Sequence, residues 1–241
     1  MWLPESGGGL WVLQGALLAI APTLGRLSRP LPWLLSGSAG AELDIALRDL
    51  CTGRAALLRA YQAEAVRRAW MAPLGRSVLE LAPGAGKTRI METLVATAAM
   101  LGFRGALVLV HSPGIALQTE ADLKRMLRPL MCCCNMQLPD APCPVLCTTY
   151  DRLRRMPQEV IDDVLAYDVL LIDEVHTAGR RTAVELILRS QAQLRVGLSG
   201  TALERMDDRN PLVVGLLGPV VMRMSPADVV ADGHLAEGKI Y

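Results

Sequence analysis

SVLELAPGAGKT, residues 77–88, is an apolar run that breaks into glycines and then into a lysine and a threonine. The run 77–81 has the length of a buried strand, and a helical pattern starts at Lys87 and continues to Leu101. Between them, Gly84 and Gly86 let the backbone curl so that successive N–H groups face one point, where the following helix adds the positive end of its dipole. Such a turn is a cradle for phosphate. Pro83, Gly84, Ala85, Gly86, Lys87 and Thr88 form it, with Lys87 reaching the β- and γ-phosphates and the Thr88 hydroxyl completing a magnesium shell. The general G-x-x-x-x-G-K-T pattern has glycine where Leu81 stands, but the cradle from Gly84 to Thr88 does not need it. ATP and Mg2+ are the expected ligands. A dinucleotide-binding oxidoreductase would need G-x-G-x-x-G at this turn, and the chain has G-A-G-K-T.

Further along, DVLLIDEVH (168–176) is an apolar strand ending in two acids. In a parallel α/β sheet the carboxyl end of a strand lies at the edge where ligands bind, the same edge as the phosphate loop. Asp173 is therefore the expected magnesium-side carboxylate, and Glu174 the group that orients and deprotonates an attacking water. Apolar runs at 77–81, 105–110, 144–148, 168–173, 194–199 and 219–224 make six candidate strands. Helical patterns alternate with them at Tyr61 to Met71, Lys87 to Leu101, Ile115 to Leu127, Gln158 to Tyr167, Thr182 to Gln191 and Leu212 to Leu217. That alternation predicts an α/β fold, a mostly parallel sheet flanked by helices.

With 51% hydrophobic and 20% charged residues, the 241-residue chain has the composition of a folded globular protein and excludes intrinsic disorder. A net charge of +1 gives no global field toward nucleic acid or membrane, so any such contact must come from local groups. Aromatics at 4%, with a single Phe, disfavour a single-strand platform of stacked rings. Cys51, Cys132, Cys133, Cys134, Cys143 and Cys147 lack the paired spacing of a zinc site and read as small apolar residues in a reducing compartment. Residues 6–25 carry no charge, but the densest part, Leu10 to Ala21, is short for a span of about 20 residues, and only Glu5 precedes it. The expectation is no membrane segment and a cytoplasmic location. Residues 1–54, with three consecutive glycines and Pro-rich connectors, read as an accessory segment, and 55–241 as the nucleotide-binding domain.

The order of phosphate loop, DEVH and GLSGT (197–201), followed by ALERMDDRN (202–210), resembles superfamily 2 helicases and translocases, within them the DNA-repair and phage DEAD/DEAH-like type. The resemblance implies a RecA-like P-loop NTPase domain. RAYQ (59–62) resembles the element before the phosphate loop, which gives Gln62 the adenine and puts Arg59 nearby; position alone reads Gln62 as an exposed helix-start residue. VLVHSPGIALQ (108–118) resembles the first nucleic-acid motif, with Ser112, Pro113 and Gly114 near the phosphodiester backbone and Gln118 supporting them. CTTYDRL (147–153) resembles the next, with Thr148 and Thr149 as backbone contacts. His176, Ser199 and Thr201 resemble the elements that couple the γ-phosphate to the nucleic-acid side.

The final SPADVVADGHLAEGKIY (225–241) resembles the passage before the linker to a second RecA-like domain, so that domain is expected in cis on a longer chain or in trans. The function implied is the ATP-binding domain of an ATP-dependent helicase or translocase, an ATP hydrolase acting on DNA rather than RNA and weak or inactive as an isolated chain. The alternatives are a truncated nucleotide-binding or interaction module without motor activity, and the motor subunit of a restriction-type complex.

Overall fold

The computed structural model describes residue 44 and residues 58–133, 145–175, 178, 181–200 and 210–231. The expected accessory segment 1–54 lies outside these except for Asp44, which is helical and pairs with Arg67 at 3.2 Å.

The described elements alternate as the apolar runs predict. Helix α1 (Ala60–Trp70) leads through a 3-10 turn (Pro73–Gly75) to β1 (Arg76–Leu81), then α2 (Lys87–Met100), β2 (Ala106–Val110) and α3 (Pro113–Cys133). Next come β3 (Val145–Thr149), α4 (Tyr150–Arg154), α5 (Gln158–Leu165), β4 (Val169–Asp173), α6 (Arg181–Arg189) and β5 (Leu194–Ser199). The order closes with α7 (Asn210–Leu217), β6 (Val220–Met224) and α8 (Pro226–Ala231). All five strand pairings are parallel, in the order β3-β2-β4-β5-β1-β6. Strand β5 thus separates β1, which feeds the phosphate loop, from β4, which ends in the acids.

Parallel strands covered on both faces must be apolar at successive positions, and β1, β2, β4 and β5 are buried along their whole length. One face packs α1, α2 and α3 around Leu79, Leu81, Val108, Val110 and Leu198. There Trp70, fully buried, meets Phe103 edge-on, ring centroids 5.2 Å apart at 71°, and truncating such a ring costs about 3–5 kcal/mol. The other face packs α5, α6 and α7 over Val78, Leu107, Leu109, Leu170 and Ile172. In α5 the inward residues are Ile161, Val164 and Leu165, the i, i+3, i+4 stripe of an amphipathic helix.

Two differences from the sequence reading have local causes. Helix α3 begins at Pro113 rather than Ile115, because proline's fixed φ and missing N–H suit a first helical turn, and it runs on to Cys133. Helix α4 is too short to show a period and starts where the Thr149 hydroxyl accepts a hydrogen bond from Arg152 N. Of the cysteines, Cys147 is described with its side chain: it is buried in β3, and burial raises its thiol pKa to about 12, which leaves it protonated and inert. Among the described residues, no group of three or more His, Cys, Asp or Glu could hold a metal, and no helix is long and apolar enough to cross a membrane.

Candidate active site

The carboxyl edge of the sheet gathers the ends of β1, β4 and β5. Past Leu81 the chain turns through Gly84 and Gly86, both left-handed at φ +83° and +78°, a region glycine enters without the steric cost other residues meet. Gly86 is the N-cap of α2 and offers no side chain to cap it, nor is there an acid in the first turn. The free N–H groups and the positive dipole end of this 14-residue helix therefore point at whatever the loop encloses.

Helix α1 holds the loop from behind. The Tyr61 hydroxyl donates to Ala85 O at 2.9 Å and Gln62 Nε2 donates to the same oxygen at 3.1 Å. Arg59 NH1 donates to the Tyr61 hydroxyl at 3.0 Å, and Arg59 N donates to Gln62 Oε1 at 3.1 Å. Gln62 is buried, which corrects the reading of an exposed helix-start residue. A Cβ at position 86 would stand 2.5 Å from Gln62 Nε2, so a larger residue there would push the amide off Ala85 O, while the left-handed φ of +78° is what selects glycine. Tyr61 was missed in the sequence; its signal was its place between Arg59 and Gln62.

Lys87 and the two acids converge. Lys87 Nζ donates to Glu174 Oε1 at 2.6 Å, with both side chains about four-fifths buried. Glu174 has φ +52°, a left-handed conformation that costs a non-glycine residue about 1–2 kcal/mol and turns its carboxylate back toward the loop. Asp173, at the end of β4, is buried, and its Oδ1 has no hydrogen-bond partner. Burial raises its pKa, opposed by Lys87 and supported by the like charge of Glu174. His111, exposed at the end of β2, also acts on Asp173, in the direction of its charged form. Gly200 closes the ring: a Cβ there would lie 2.9 Å from Lys87 Nζ and 3.6 Å from Glu174 Oε1.

These groups fit a hard cation bound together with a phosphate ester. An orphaned buried carboxylate oxygen on Asp173 and the half-buried Thr88 hydroxyl at the start of α2 are oxygen donors too few for an all-protein cage. Magnesium takes such sites when substrate phosphates and water complete its shell.

Along the same edge, Pro113 and Gly114 are exposed and Ser112 is half-buried. Gln118 is exposed on α3 and makes no hydrogen bond to residues 112–114. Both threonines of β3 are buried: the Thr149 hydroxyl caps α4, and Thr148 Oγ1 has no hydrogen-bond partner. Just beyond them Arg152, Arg154 and Arg155 are exposed and, among the described residues, form no side-chain pair; RLRR at 152–155 is the sequence signal for them. Ser199 is buried at the end of β5. His176 and Thr201 lie outside the described residues.

Residues 56–204 match the family model described as "Type III restriction enzyme, res subunit". Among curated proteins, the chain is 25% identical over 187 residues to a putative ATP-dependent RNA helicase, QP509L, of African swine fever virus, covering 73% of this chain and 35% of the viral protein. It thus spans about a third of the length of that relative. Among solved structures, the UvsW helicase from bacteriophage T4 superposes with a TM-score of 0.60 at 20% identity, over 78% of this chain and 68% of that one. The Type ISP restriction-modification enzyme LlaGI, in complex with a DNA substrate mimic, gives 0.54 at 19% identity, over 76% and 21%.

Proposed function

This chain belongs to the type III restriction enzyme res subunit family and carries the RecA-like, ATP-binding domain of superfamily 2 helicases, and on that premise we propose that it binds and hydrolyses ATP to drive movement on DNA. The observation that carries the proposal is the contact of Lys87 with Glu174 at the mouth of an uncapped helix, beside the orphaned Asp173 oxygen. Lys87 has one strong partner in this structure, and an incoming γ-phosphate is a better one. As Lys87 turns to the phosphate, Glu174 is released to accept a hydrogen bond from a water and to take its proton. Residues 84–88 hold the β- and γ-phosphates on backbone N–H groups, and Gln62 and Arg59 flank the adenine. Magnesium, held by Asp173 and Thr88, would supply charge neutralisation at the phosphates. Ser199, Thr201 and His176 relay phosphate occupancy to the nucleic-acid side.

The DNA track follows the same edge. Ser112, Pro113 and Gly114 face the phosphodiester backbone, Arg152, Arg154 and Arg155 supply positive charge beside them, and Thr148 and Thr149 shape the loop that presents these arginines. Contacts of this kind grip phosphate without reading bases. DNA over RNA is supported by the DNA mimic on LlaGI, whereas the viral relative is named an RNA helicase. A second RecA-like domain, in cis or in trans, completes the site, with residues 1–54 as an accessory segment and 55–241 as the ATP-binding domain. The family favours a second reading, the translocating subunit of a restriction-type complex, in which the same chemistry moves duplex DNA without separating it.

The test is magnesium-dependent ATP binding and turnover, with and without single- and double-stranded DNA. Lys87→Ala is expected to weaken ATP binding about 100-fold, the loss of one charge-assisted contact to phosphate. Unchanged binding in Lys87→Ala overturns the phosphate-loop reading; binding that persists in the wild type without any turnover leaves a nucleotide-binding module.

A further inference from the structure

Strand β1 begins on the opposite edge of the sheet with a second charged group that the nucleotide site does not use. Arg76 is nine-tenths buried, at 7% exposure, and its NH2 nitrogen is buried without a hydrogen-bond partner. In the β1–β5 register its Cα partner is Arg195, at 1% exposure. Register partners in parallel strands stand about 5 Å apart and project to the same face. That face is the one packed by α6 and α7: Val78, two residues beyond Arg76, belongs to its core, and Arg195 donates into the end of α6.

The two guanidiniums are satisfied very unequally. Arg195 spends Nε on Ala192 O (3.3 Å), NH1 on Ile187 O (3.2 Å) and NH2 on Ser190 O (2.7 Å), so the carbonyls at the carboxyl end of α6 absorb its charge. Among the described residues Arg76 makes no side-chain hydrogen bond. Gly218 closes the wall beside it, since a Cβ there would lie 2.4 Å from Arg76 O. Burial and the neighbouring Arg76 lower the Arg195 pKa to about 9, and burial lowers that of Arg76, so Arg195 stays charged at neutral pH. Among the described residues no carboxylate pairs with either.

An arginine side chain with one nitrogen fully buried and unpartnered, and with no counter-charge among the described residues, is costly to hold, and an anion that shares it lowers that cost. We propose that Arg76 and Arg195 form a binding site for one oxyanion, a carboxylate or a phosphate, at the amino edge of the sheet. Arg76 offers its whole guanidinium fork and Arg195 its two remaining N–H groups, a donor set that matches two oxygens of one planar or tetrahedral anion. The bound anion ties the start of β1 to β5 and the end of α6. The site lies about 17 Å along β1 from the phosphate loop, at 3.3 Å per residue, and does not rest on the nucleotide reading.

The experiment uses the full chain carrying Lys87→Ala, so that the phosphate loop does not contribute, and follows its thermal midpoint against sodium phosphate and, separately, sodium acetate, at ionic strength fixed with sodium chloride. The expected result is a saturable rise of several degrees with phosphate, acetate or both, absent when Arg76→Met is added. A response to phosphate alone identifies a free phosphate as occupant; a response to acetate identifies a carboxylate presented by protein. A flat titration in the parent, or the same rise with Arg76→Met, overturns the site. Should Arg76→Met not fold, the Nε–Hε resonances of Arg76 and Arg195 in the parent chain decide: both are expected to move with the same anion midpoint, and resonances that stay still overturn it.

Discussion

At its carboxyl end β1 delivers Lys87 to within 2.6 Å of Glu174, so that opposite charges neutralise each other at the mouth of the loop. At its amino end the same strand starts with Arg76 beside a second arginine. One edge therefore holds its charges in a pair that a ligand must part. The other holds like charges that a ligand would join. Both edges belong to one sheet, and strand direction sets the helix dipole met at each: the positive start of α2 at the carboxyl edge, the carbonyl-bearing end of α6 at the amino edge.

The largest effect that could break this contrast is at the paired edge. Glu174→Gln is expected to lower ATP turnover by about 10²–10⁴-fold, the usual contribution of a general base. ATP binding should hold or tighten, because Lys87 no longer has a carboxylate to leave; equilibrium binding measured beside single-turnover kinetics separates the two. If turnover and binding fall together, the pair is structural and the contrast with Arg76 fails. At the other edge, Arg195→Ala leaves three carbonyls without their donor and is expected to cost about 3 kcal/mol by chemical denaturation. Arg76→Met should cost nothing in chloride buffer, and equal losses at the two positions would show that Arg76 has a partner.

Asp173 sharpens the comparison through pH. Burial raises its pKa in the folded state above 3.8, so the native protein holds the proton longer than the unfolded chain. The stabilisation is full below pH 3.8 and is lost as pH rises through the folded pKa, at up to about 1.4 kcal/mol per pH unit within that window. Asp173→Asn should remove that slope, raise the midpoint at neutral pH in the absence of magnesium, and abolish stabilisation by magnesium with ATP. A slope unchanged in Asp173→Asn assigns it to another group. The smallest effects concern two adjacent hydroxyls. Thr149→Ala removes the cap of α4 and should cost about 1 kcal/mol, while Thr148→Val exchanges an orphaned hydroxyl for a methyl and should change stability by less than about 0.5 kcal/mol.

The sheet was legible because parallel strands buried on both faces leave unbroken apolar runs, and all six runs became strands. The phosphate loop was equally legible, since Gly84 to Thr88 act as neighbours in sequence. The contacts that need the third dimension were not. Gln62 reaches Ala85 across 23 positions, and a glutamine at a helix start carries no mark of such a partner. Thr148 and Thr149 read as one hydroxyl pair, yet strand alternation sends them to different work, one buried and one capping. Arg76 and Arg195 become neighbours only through the register of β1 on β5, which no sequence period announces.

The packing of Trp70 on the chain's one phenylalanine has an optical consequence. The other tryptophans, Trp2, Trp11 and Trp33, all precede residue 44, so replacing them with phenylalanine leaves Trp70 as the single indole of the chain. That indole sits at the far end of α1 from Tyr61 and Gln62, which hold the phosphate loop. Buried away from water, it is expected to emit at the blue end of the indole range and to register from inside the core, through α1, what arrives at the loop.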